Sequence, residues 1–204
     1  MQKGTLHAIV GGNGCGKSTL LALAAGAIRP ERGRIKAPLR ENQGFIPQDP
    51  KVLFVCDSVA EELHDWQRAC GYGGEEIDAM MHRLRLQGLE NLHPYDLSGG
   101  QQQLLAFAKV LLTHPKLLLL DEVTKGLDTE AKLMVAKLCR ALTAEGVTIV
   151  MATHDLPFTA CAADAITMLF DGEDACTETP SEFFRNNLFY RATENDFTRA
   201  WGSM

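Results

Sequence analysis

Short runs of apolar residues recur along the chain, separated by longer stretches of mixed polarity. Apolar runs without polar alternation, ended by glycine, proline or acidic residues, are typical of strands covered on both faces of a sheet. The runs that predict such strands are residues 5–10, 44–47, 117–120, 147–151 and 165–170. We therefore expect a sheet whose strands are buried rather than half-exposed.

Helices are predicted in the stretches between these runs. Their composition and end signals place them at residues 17–27, 58–70, 75–86, 101–113 and 128–145, with two more starting near residues 155 and 179. Ser58 and Thr179 each begin a capping box, and Asp128 and Asp155 are predicted N-caps. Because strands alternate with helices, we expect an α/β fold whose mostly parallel sheet is flanked by helices.

The stretch from about residue 49 to residue 103 departs from this alternation, because it has helix signals and no strand signal. It predicts a helical subdomain inserted into a core made of residues 1–48 and 104–204. The 204 residues fit one domain that can bury a hydrophobic core. A single domain with an inserted helical part is therefore the expected organisation.

The composition narrows the class of protein. The net charge of −6 is a poor match to a nucleic-acid backbone, so no nucleic-acid partner is expected. Six cysteines are scattered without CxxC or Cys/His spacing, which is typical of reduced, mostly buried thiols in a cytosolic protein. The longest apolar run, residues 20–28, is too short to span a bilayer. We expect a cytoplasmic protein that does not enter the membrane by itself.

The strongest local motif is a glycine-rich loop between the first strand and the first helix, which matches GxxxxGK[ST]. Glycines let consecutive N–H groups point at phosphate oxygens, and the following helix adds the positive end of its dipole. Lys17 is expected to reach the β- and γ-phosphates of a nucleotide, and Ser18 to bind Mg²⁺. The predicted nucleotide-binding residues of this motif are Gly11, Gly12, Asn13, Gly14, Cys15, Gly16, Lys17, Ser18 and Thr19.

Two acids end the apolar strand at residues 117–120. Asp121 stands where a P-loop enzyme holds Mg²⁺ beside the phosphates. Glu122 follows at the carboxyl end of the sheet, where ligands of such folds bind, and could polarise the attacking water. Alone, the pair reads as a solvated acidic turn, but beside a P-loop it predicts a nucleotide-hydrolysing site.

A second anion site is predicted at the start of a later helix. Ser98, Gly99, Gly100 and Gln101 combine one hydroxyl with exposed amide donors. A flexible N-cap is the plain alternative. Two phosphate-binding helix starts in one chain suggest two surfaces that meet across a dimer.

Together these motifs resemble those of the ABC transporter ATPases, in the family's order and over nearly the whole chain. The resemblance implies a P-loop, RecA-like core and three further site residues. Gln48 matches the Q-loop glutamine, which contacts Mg²⁺ and water, and Asp128 lies in a segment like the D-loop. His154 matches the switch histidine that contacts the γ-phosphate.

The same resemblance implies a dimer. Two domains pack head to tail, as a homodimer or heterodimer, and each ATP lies between Lys17 of one domain and Ser98, Gly99 and Gly100 of the other. A groove near residues 49–60 would receive a short helix from a transmembrane coupling subunit. The chain is thus expected on the inner face of the cell membrane, held there by that subunit.

A narrower resemblance, to the energy-coupling-factor ATPases, rests on residues 50–62, 93–103 and 121–128. Those ATPases power the import of vitamins or of cobalt and nickel ions. A soluble ABC-type ATPase, such as a fragment of a ribosome-associated translation factor, is the alternative. A chromosome-maintenance ATPase would need a coiled coil where only residues 49–97 separate the two motifs.

The resemblance is incomplete at the amino end. The family has an antiparallel β region before the P-loop, with an aromatic residue that stacks on adenine, and here that region is largely missing. Either the chain is a piece of a longer protein, which we favour, or adenine is held in another way. We expect weak nucleotide affinity. In the tail, Phe189, Tyr190, Phe197 and Trp201 are expected to pack onto the domain.

Overall fold

The computed structural model describes residues 2–36, 39–186 and 196–203. Within these residues, six strands form one sheet in the order β2-β3-β4-β1-β5-β6. Strands β1 to β5 run parallel to one another, and β6 pairs antiparallel with β5. The strands are β1 (Leu6–Val10), β2 (Gln43–Ile46), β3 (Leu117–Asp121), β4 (Thr148–Ala152), β5 (Ala165–Phe170) and β6 (Glu173–Glu178). The predicted α/β fold with a mostly parallel sheet is confirmed.

Helices cover the sheet and fill the stretch between β2 and β3. They are α1 (Lys17–Ala25), α2 (Val59–Asp65), α3 (Gln67–Cys70), α4 (Gly74–Arg83), α5 (Gly99–Leu111), α6 (Thr129–Ala144), α7 (Leu156–Ala162), α8 (Pro180–Asn186) and α9 (Asp196–Gly202). Short 3₁₀ turns lie at Arg40–Asn42, Pro50–Leu53 and Pro94–Asp96. Helix α1 packs on β3 and β4, α6 packs on β1 and β4, and α5 packs on β2.

The single helix predicted over residues 58–70 is wrong. The chain forms two helices, α2 and α3, with Trp66 between them. Ser58 Oγ accepts a hydrogen bond from the backbone N–H of Glu61 at 3.2 Å, as an N-cap does. The carboxylate of Glu61 accepts from the N–H of Asp57 instead of that of Ser58, so the capping box is not reciprocal. The capping box at Thr179 and Glu182 does form in both directions.

Strand β6 was not among the predicted strands because its sequence is polar. The turn before it contains Asp171 and Gly172, which both adopt positive φ angles, 48° and 79°. Positive φ at both central residues fits a type I′ turn, whose twist matches that of a β-hairpin. The Asp-Gly pair was therefore the sequence signal for this hairpin.

Aromatic residues attach the last described helix to the domain. Phe197 is buried and stacks on Phe158 of α7, with ring centroids 5.7 Å apart. Trp201 stacks on Phe197 with centroids 6.2 Å apart. These contacts confirm the packing expected of Phe197 and Trp201, whereas Phe189 and Tyr190 lie outside the described residues.

The remaining general expectations concern thiols, the membrane and domain division. All six cysteines are free thiols, but the expectation that most are buried is wrong, because only Cys139 is fully buried. In the part of the chain that is described, no helix has the length and hydrophobicity needed to cross a bilayer. Helices α2 to α5 all lie between β2 and β3 along the chain, and the predicted subdomain boundary at residue 103 falls inside α5. The division into a core and an inserted helical subdomain remains a prediction.

Candidate functional site

The register of the parallel strands brings three loops to one edge of the sheet. Ala152 of β4 lies opposite Ile9 of β1 on one side and opposite Asp121 of β3 on the other. The chain leaves all three strands at this level, and two hydrogen bonds continue the alignment. The N–H of Glu122 donates to the carbonyl of Ala152 at 2.8 Å, and that of Thr153 donates to Ile9 at 3.0 Å. The carboxyl ends of β1, β3 and β4 therefore carry the site together.

The glycine-rich loop follows β1 directly and depends on two of its glycines. A Cβ at Gly11 would lie 2.4 Å from the carbonyl oxygen of Leu169, so no side chain fits there. Gly16 caps α1 with a φ of 98°, a left-handed conformation that costs glycine little. No side chain caps the helix at this end, so its first N–H groups are free to meet an anion.

Lys17 supplies a positive charge inside this loop. Lys17 is only 7% exposed, and its ammonium donates to the carbonyls of Gly11 at 2.9 Å and Gly12 at 3.0 Å. These acceptors are neutral, and none of the ion pairs among the described residues involves Lys17. The charge therefore remains available to an anionic ligand. Other predicted loop residues are exposed around it, namely Gly12, Asn13, Gly14, Ser18 and Thr19, while Cys15 and Gly16 are half-buried.

Ser18 and Asp121 meet between the helix and the sheet. The hydroxyl of Ser18 donates to Oδ1 of Asp121 at 3.1 Å, and Asp121 is 6% exposed. A hydroxyl and a carboxylate are the oxygen ligands that Mg²⁺ accepts beside phosphate. This donor set therefore fits a magnesium ion.

Glu122 and His154 form the second contact at this edge. Oε2 of Glu122 lies 2.6 Å from Nδ1 of His154 and also accepts from the histidine's backbone N–H at 3.3 Å. Glu122 is 8% exposed and has a φ of 50°, a left-handed conformation that is uncommon for residues other than glycine. Strained backbone of this kind concentrates at functional sites. The motif predicted the residue, but no sequence signal predicted its backbone conformation.

Ser98 and Gln101 form a reciprocal capping box at the start of α5. Ser98 Oγ accepts from the N–H of Gln101 at 3.3 Å, and the Gln101 side chain accepts from the N–H of Ser98 at 2.9 Å. The spacing S-x-x-Q was the signal for this box. Ser98 and Gly99 are exposed, and a Cβ at Gly99 would meet open space.

The start of α5 packs against the start of α6. A Cβ at Gly100 would lie 3.2 Å from the Cβ of Ala131, so the two helix starts are in close contact. Asp128 caps α6 by accepting from the N–H of Ala131 at 2.8 Å. The structure therefore brings Gly100 and Asp128 to one surface.

Gln48 stands apart from the other predicted site residues. It is exposed and lies two residues after the end of β2, at the same edge of the sheet as Asp121. Its side chain makes no hydrogen bond to the described residues. The ion pair between Lys132 and Asp155, the residue after His154, was not predicted from the sequence.

Comparison with known sequences agrees with this geometry. The sequence model of the family described as ABC transporter matches residues 1–125. A protein of Bacillus thuringiensis named "Putative ABC transporter ATP-binding protein" is 43% identical over 213 residues, which cover 98% of this chain and 38% of that protein. The chain thus spans 38% of the length of the first curated relatives it matches.

Two further relatives carry more specific names. A Bacillus subtilis protein named "Putative HMP/thiamine import ATP-binding protein YkoD" is 33% identical over 195 residues, covering 90% of this chain and 36% of that protein. The solved structure of cbiO1 from Clostridium perfringens, described as part of the ABC transporter complex cbiONQ, superposes with a TM-score of 0.80 at 30% identity. That match covers 91% of this chain and 81% of the solved one. The chain belongs to the ABC transporter family.

Proposed function

We propose that this chain is an ATP-binding and ATP-hydrolysing subunit, or half of a subunit, that powers an ABC importer. The observation that carries the proposal is the meeting of three features at one sheet edge. They are the loop around Lys17, the Ser18–Asp121 pair and the Glu122–His154 pair. Together, these features complement the charges of a nucleoside triphosphate bound with Mg²⁺.

Nucleotide binding is assigned to the loop at residues 11–16, to Lys17 and to the start of α1. The amides and the ammonium would hold the β- and γ-phosphates, which compete for Lys17 with two carbonyls and a long contact to the Cys15 thiol. Ser18, Asp121 and Gln48 would hold Mg²⁺. When bound, that ion supplies positive charge to the phosphate oxygens.

Hydrolysis is assigned to Glu122 and His154. Oε1 of Glu122 takes no hydrogen bond from the described residues, so it is the oxygen that can accept a proton from the attacking water. His154 holds the other oxygen in place from one side, and its exposed ring can reach a γ-phosphate. The two contacts from His154 to Oε2 hold the carboxylate before the ligand arrives.

Dimerisation is assigned to the surface that carries Ser98, Gly99, Gly100 and Asp128. An anion site at the start of α5, exposed to solvent, would close over the nucleotide of a second ABC domain packed head to tail. Gln101 contributes by holding the backbone of Ser98 in the capping box. ATP would join the two domains, and its hydrolysis would release them.

Coupling to a membrane subunit is assigned to the segment after β2. Val52 and Val55 are 67% and 74% exposed, so this segment presents apolar side chains to a partner. A short helix of a transmembrane subunit is the proposed occupant, which would hold the chain on the cytoplasmic face. The name of the Bacillus subtilis relative, which includes thiamine import, supports import, and the similarity to a part of the ABC transporter complex cbiONQ supports a role in transport. With the motif resemblance of residues 50–62, 93–103 and 121–128, the proposed importer is of the energy-coupling-factor type, for vitamins or for cobalt and nickel ions.

The experiment is light scattering of the chain with millimolar ATP and without Mg²⁺, which blocks hydrolysis. Glu122→Gln should bind ATP and form a dimer that disappears with ADP. Ser98→Asp keeps a good N-cap but places a negative charge at the γ-phosphate, and should prevent the dimer. Ser98→Asn, which caps equally well without the charge, is the matched control and should dimerise.

Each outcome bears on the proposal. A monomer in every condition, with no ATP bound, contradicts the assignment of the nucleotide site. ATP binding with a dimer that forms equally well in Ser98→Asp contradicts the head-to-tail arrangement.

A further inference from the structure

The turn that carries His154 is held by hydrogen bonds of its backbone rather than by packing of the ring. The His154 side chain is 56% exposed. The N–H of Leu156 donates to the carbonyl of His154 at 3.0 Å, and Asp155 between them has φ −79° and ψ 83°. These are the dihedrals of an inverse γ-turn. The direction of the histidine therefore depends on what holds Asp155.

Asp155 makes four local contacts, two of them through its carbonyl to the N–H and hydroxyl of Thr159, and one distant contact. Its N–H donates to Thr153 Oγ1 at 3.0 Å, and its Oδ1 caps α7 by accepting from Phe158 at 3.1 Å. Its Oδ2 accepts from Nζ of Lys132 at 2.5 Å, 23 residues away along the chain. The side chains are 10% and 25% exposed, so solvent screens this pair less than a surface ion pair.

Lys132 stands on the same continuous segment as Glu122. The N–H of Lys125 donates to the carbonyl of Glu122 at 3.0 Å, and α6 begins shortly afterwards at its N-cap, Asp128. The N–H of Lys132 donates to the carbonyl of Asp128 at 3.0 Å. Contacts therefore close a ring from Glu122 through α6 to Lys132, across to Asp155, and back through His154 to Glu122.

We propose that Lys132 is a positioning residue that sets the geometry of the Glu122–His154 pair through its ion pair with Asp155. Lys132 touches neither member of the pair, and its charge fixes the turn on which His154 stands. Because Asp128 caps the same helix, the ion pair also links the surface around Asp128 to the histidine. The inference rests on the proposed function for its catalytic consequence, whereas the positional claim concerns the free chain.

The test compares Lys132→Met with Lys132→Arg, which restores the ion pair, and with Lys137→Met on the exposed face of the same helix. ATP turnover, ATP affinity and thermal unfolding are measured for each variant. Lys132→Met should lower kcat about tenfold or more, because small displacements of reacting groups are costly. Its ATP affinity should stay at the wild-type value. Lys132→Arg and Lys137→Met should hydrolyse ATP as the wild type does.

A second readout needs no turnover. The imidazole proton signal of His154, identified by its loss in His154→Gln, should shift in Lys132→Met and return in Lys132→Arg. An unchanged signal, or an unchanged kcat beside an active wild type, overturns the inference and leaves the proposed function intact. A wild type that neither binds nor hydrolyses ATP overturns the proposed function, and the imidazole signal then still decides whether Lys132 positions His154.

Discussion

Two clusters of buried charge lie in different parts of the molecule and are completed in different ways. One is the sheet edge with Lys17, Asp121 and Glu122, which are 7%, 6% and 8% exposed. The other joins α2 to α5 through Glu62 and Lys109, which are both 0% exposed. Burying these charges without partners would cost much free energy. The two clusters differ in the partners that their charges have.

The chain itself satisfies the Glu62–Lys109 cluster. Lys109 donates to Glu62, to Asp65 at 2.9 Å and to the carbonyl of Leu53 at 3.0 Å, which uses all three of its N–H groups. Its ammonium also lies 4.8 Å from the centre of the Trp66 ring. The other oxygen of Glu62 accepts from the backbone N–H groups of residues 55 and 56. All three N–H groups of Lys109 and both carboxylate oxygens of Glu62 therefore have partners within the chain.

The sheet edge is incomplete by the same count. Within the described residues, Oδ2 of Asp121 and Oε1 of Glu122 accept no hydrogen bond, and Lys17 pairs with no carboxylate. A buried charged group whose hydrogen bonds are all made within the chain stabilises the fold. A buried charged group with unused hydrogen-bonding atoms can instead bind a ligand. We therefore expect replacement of Glu62 to affect stability and replacement of Glu122 to affect ATP hydrolysis.

The largest expected effect on stability separates the two buried lysines. Lys109→Met should lower the free energy of unfolding by about 3–5 kcal/mol, because it leaves Glu62 charged and unpaired in the interior. Lys17→Met removes hydrogen bonds to two neutral carbonyls and a long contact to the Cys15 thiol, and should cost about 1 kcal/mol. Urea unfolding of both variants measures the difference, and equal losses would show that Lys109 neutralises no buried charge that the fold depends on.

A double variant sharpens the same point with a smaller effect. Adding Glu62→Gln to Lys109→Met removes the unpaired charge, while the amide oxygen still accepts from the backbone of residues 55 and 56. The double variant should therefore be more stable than Lys109→Met alone. Losses that simply add would show that the charge pair is not what holds α2 to α5.

The smallest effect appears only at alkaline pH, beside the satisfied cluster. Tyr72 donates its hydroxyl to the carbonyl of Leu63 at 2.8 Å, and burial raises the pKa of Tyr72 to about 12 from its ordinary value of 10.0. The folded phenol keeps its proton where the unfolded one loses it. This contribution to stability is thus complete below pH 10.0 and is lost as the pH rises towards about 12.

Urea unfolding of the wild type and Tyr72→Phe across this pH range isolates that contribution. The wild type should lose stability more steeply than Tyr72→Phe above pH 10.0, with little difference in slope at neutral pH. Parallel curves would show that the phenol is ionised as easily in the folded chain as in the unfolded one.

Sequence reasoning found the sheet edge but not the satisfied cluster. Lys17, Asp121, Glu122 and His154 stand in motifs, and parallel strands align their carboxyl ends, so their convergence follows from local patterns. Glu62 and Lys109 are 47 residues apart, and no local pattern predicts their pairing. Such contacts are decided by how helices pack after the strands have set the frame.

The finer geometry of the site was not predicted from the sequence either. The left-handed backbone of Glu122 and the ion pair between Lys132 and Asp155 both depend on tertiary contacts. The break at Trp66 between α2 and α3 falls where the capping and composition signals predicted one continuous helix. Motifs therefore identified which residues matter, and packing determined how they are held.

The different roles of Glu122 and Glu62 are tested most directly by ATP hydrolysis in two variants that each replace one buried glutamate by its isosteric amide. Rates are measured at millimolar ATP with Mg²⁺ and are normalised to the folded protein. Glu122→Gln should lose about 10²–10⁴ in rate, the usual contribution of a general base, and remain as stable as the wild type. Glu62→Gln should hydrolyse ATP at a rate close to that of the wild type. Equal losses in both variants, or a wild-type rate in Glu122→Gln, would contradict the assignment of hydrolysis to Glu122.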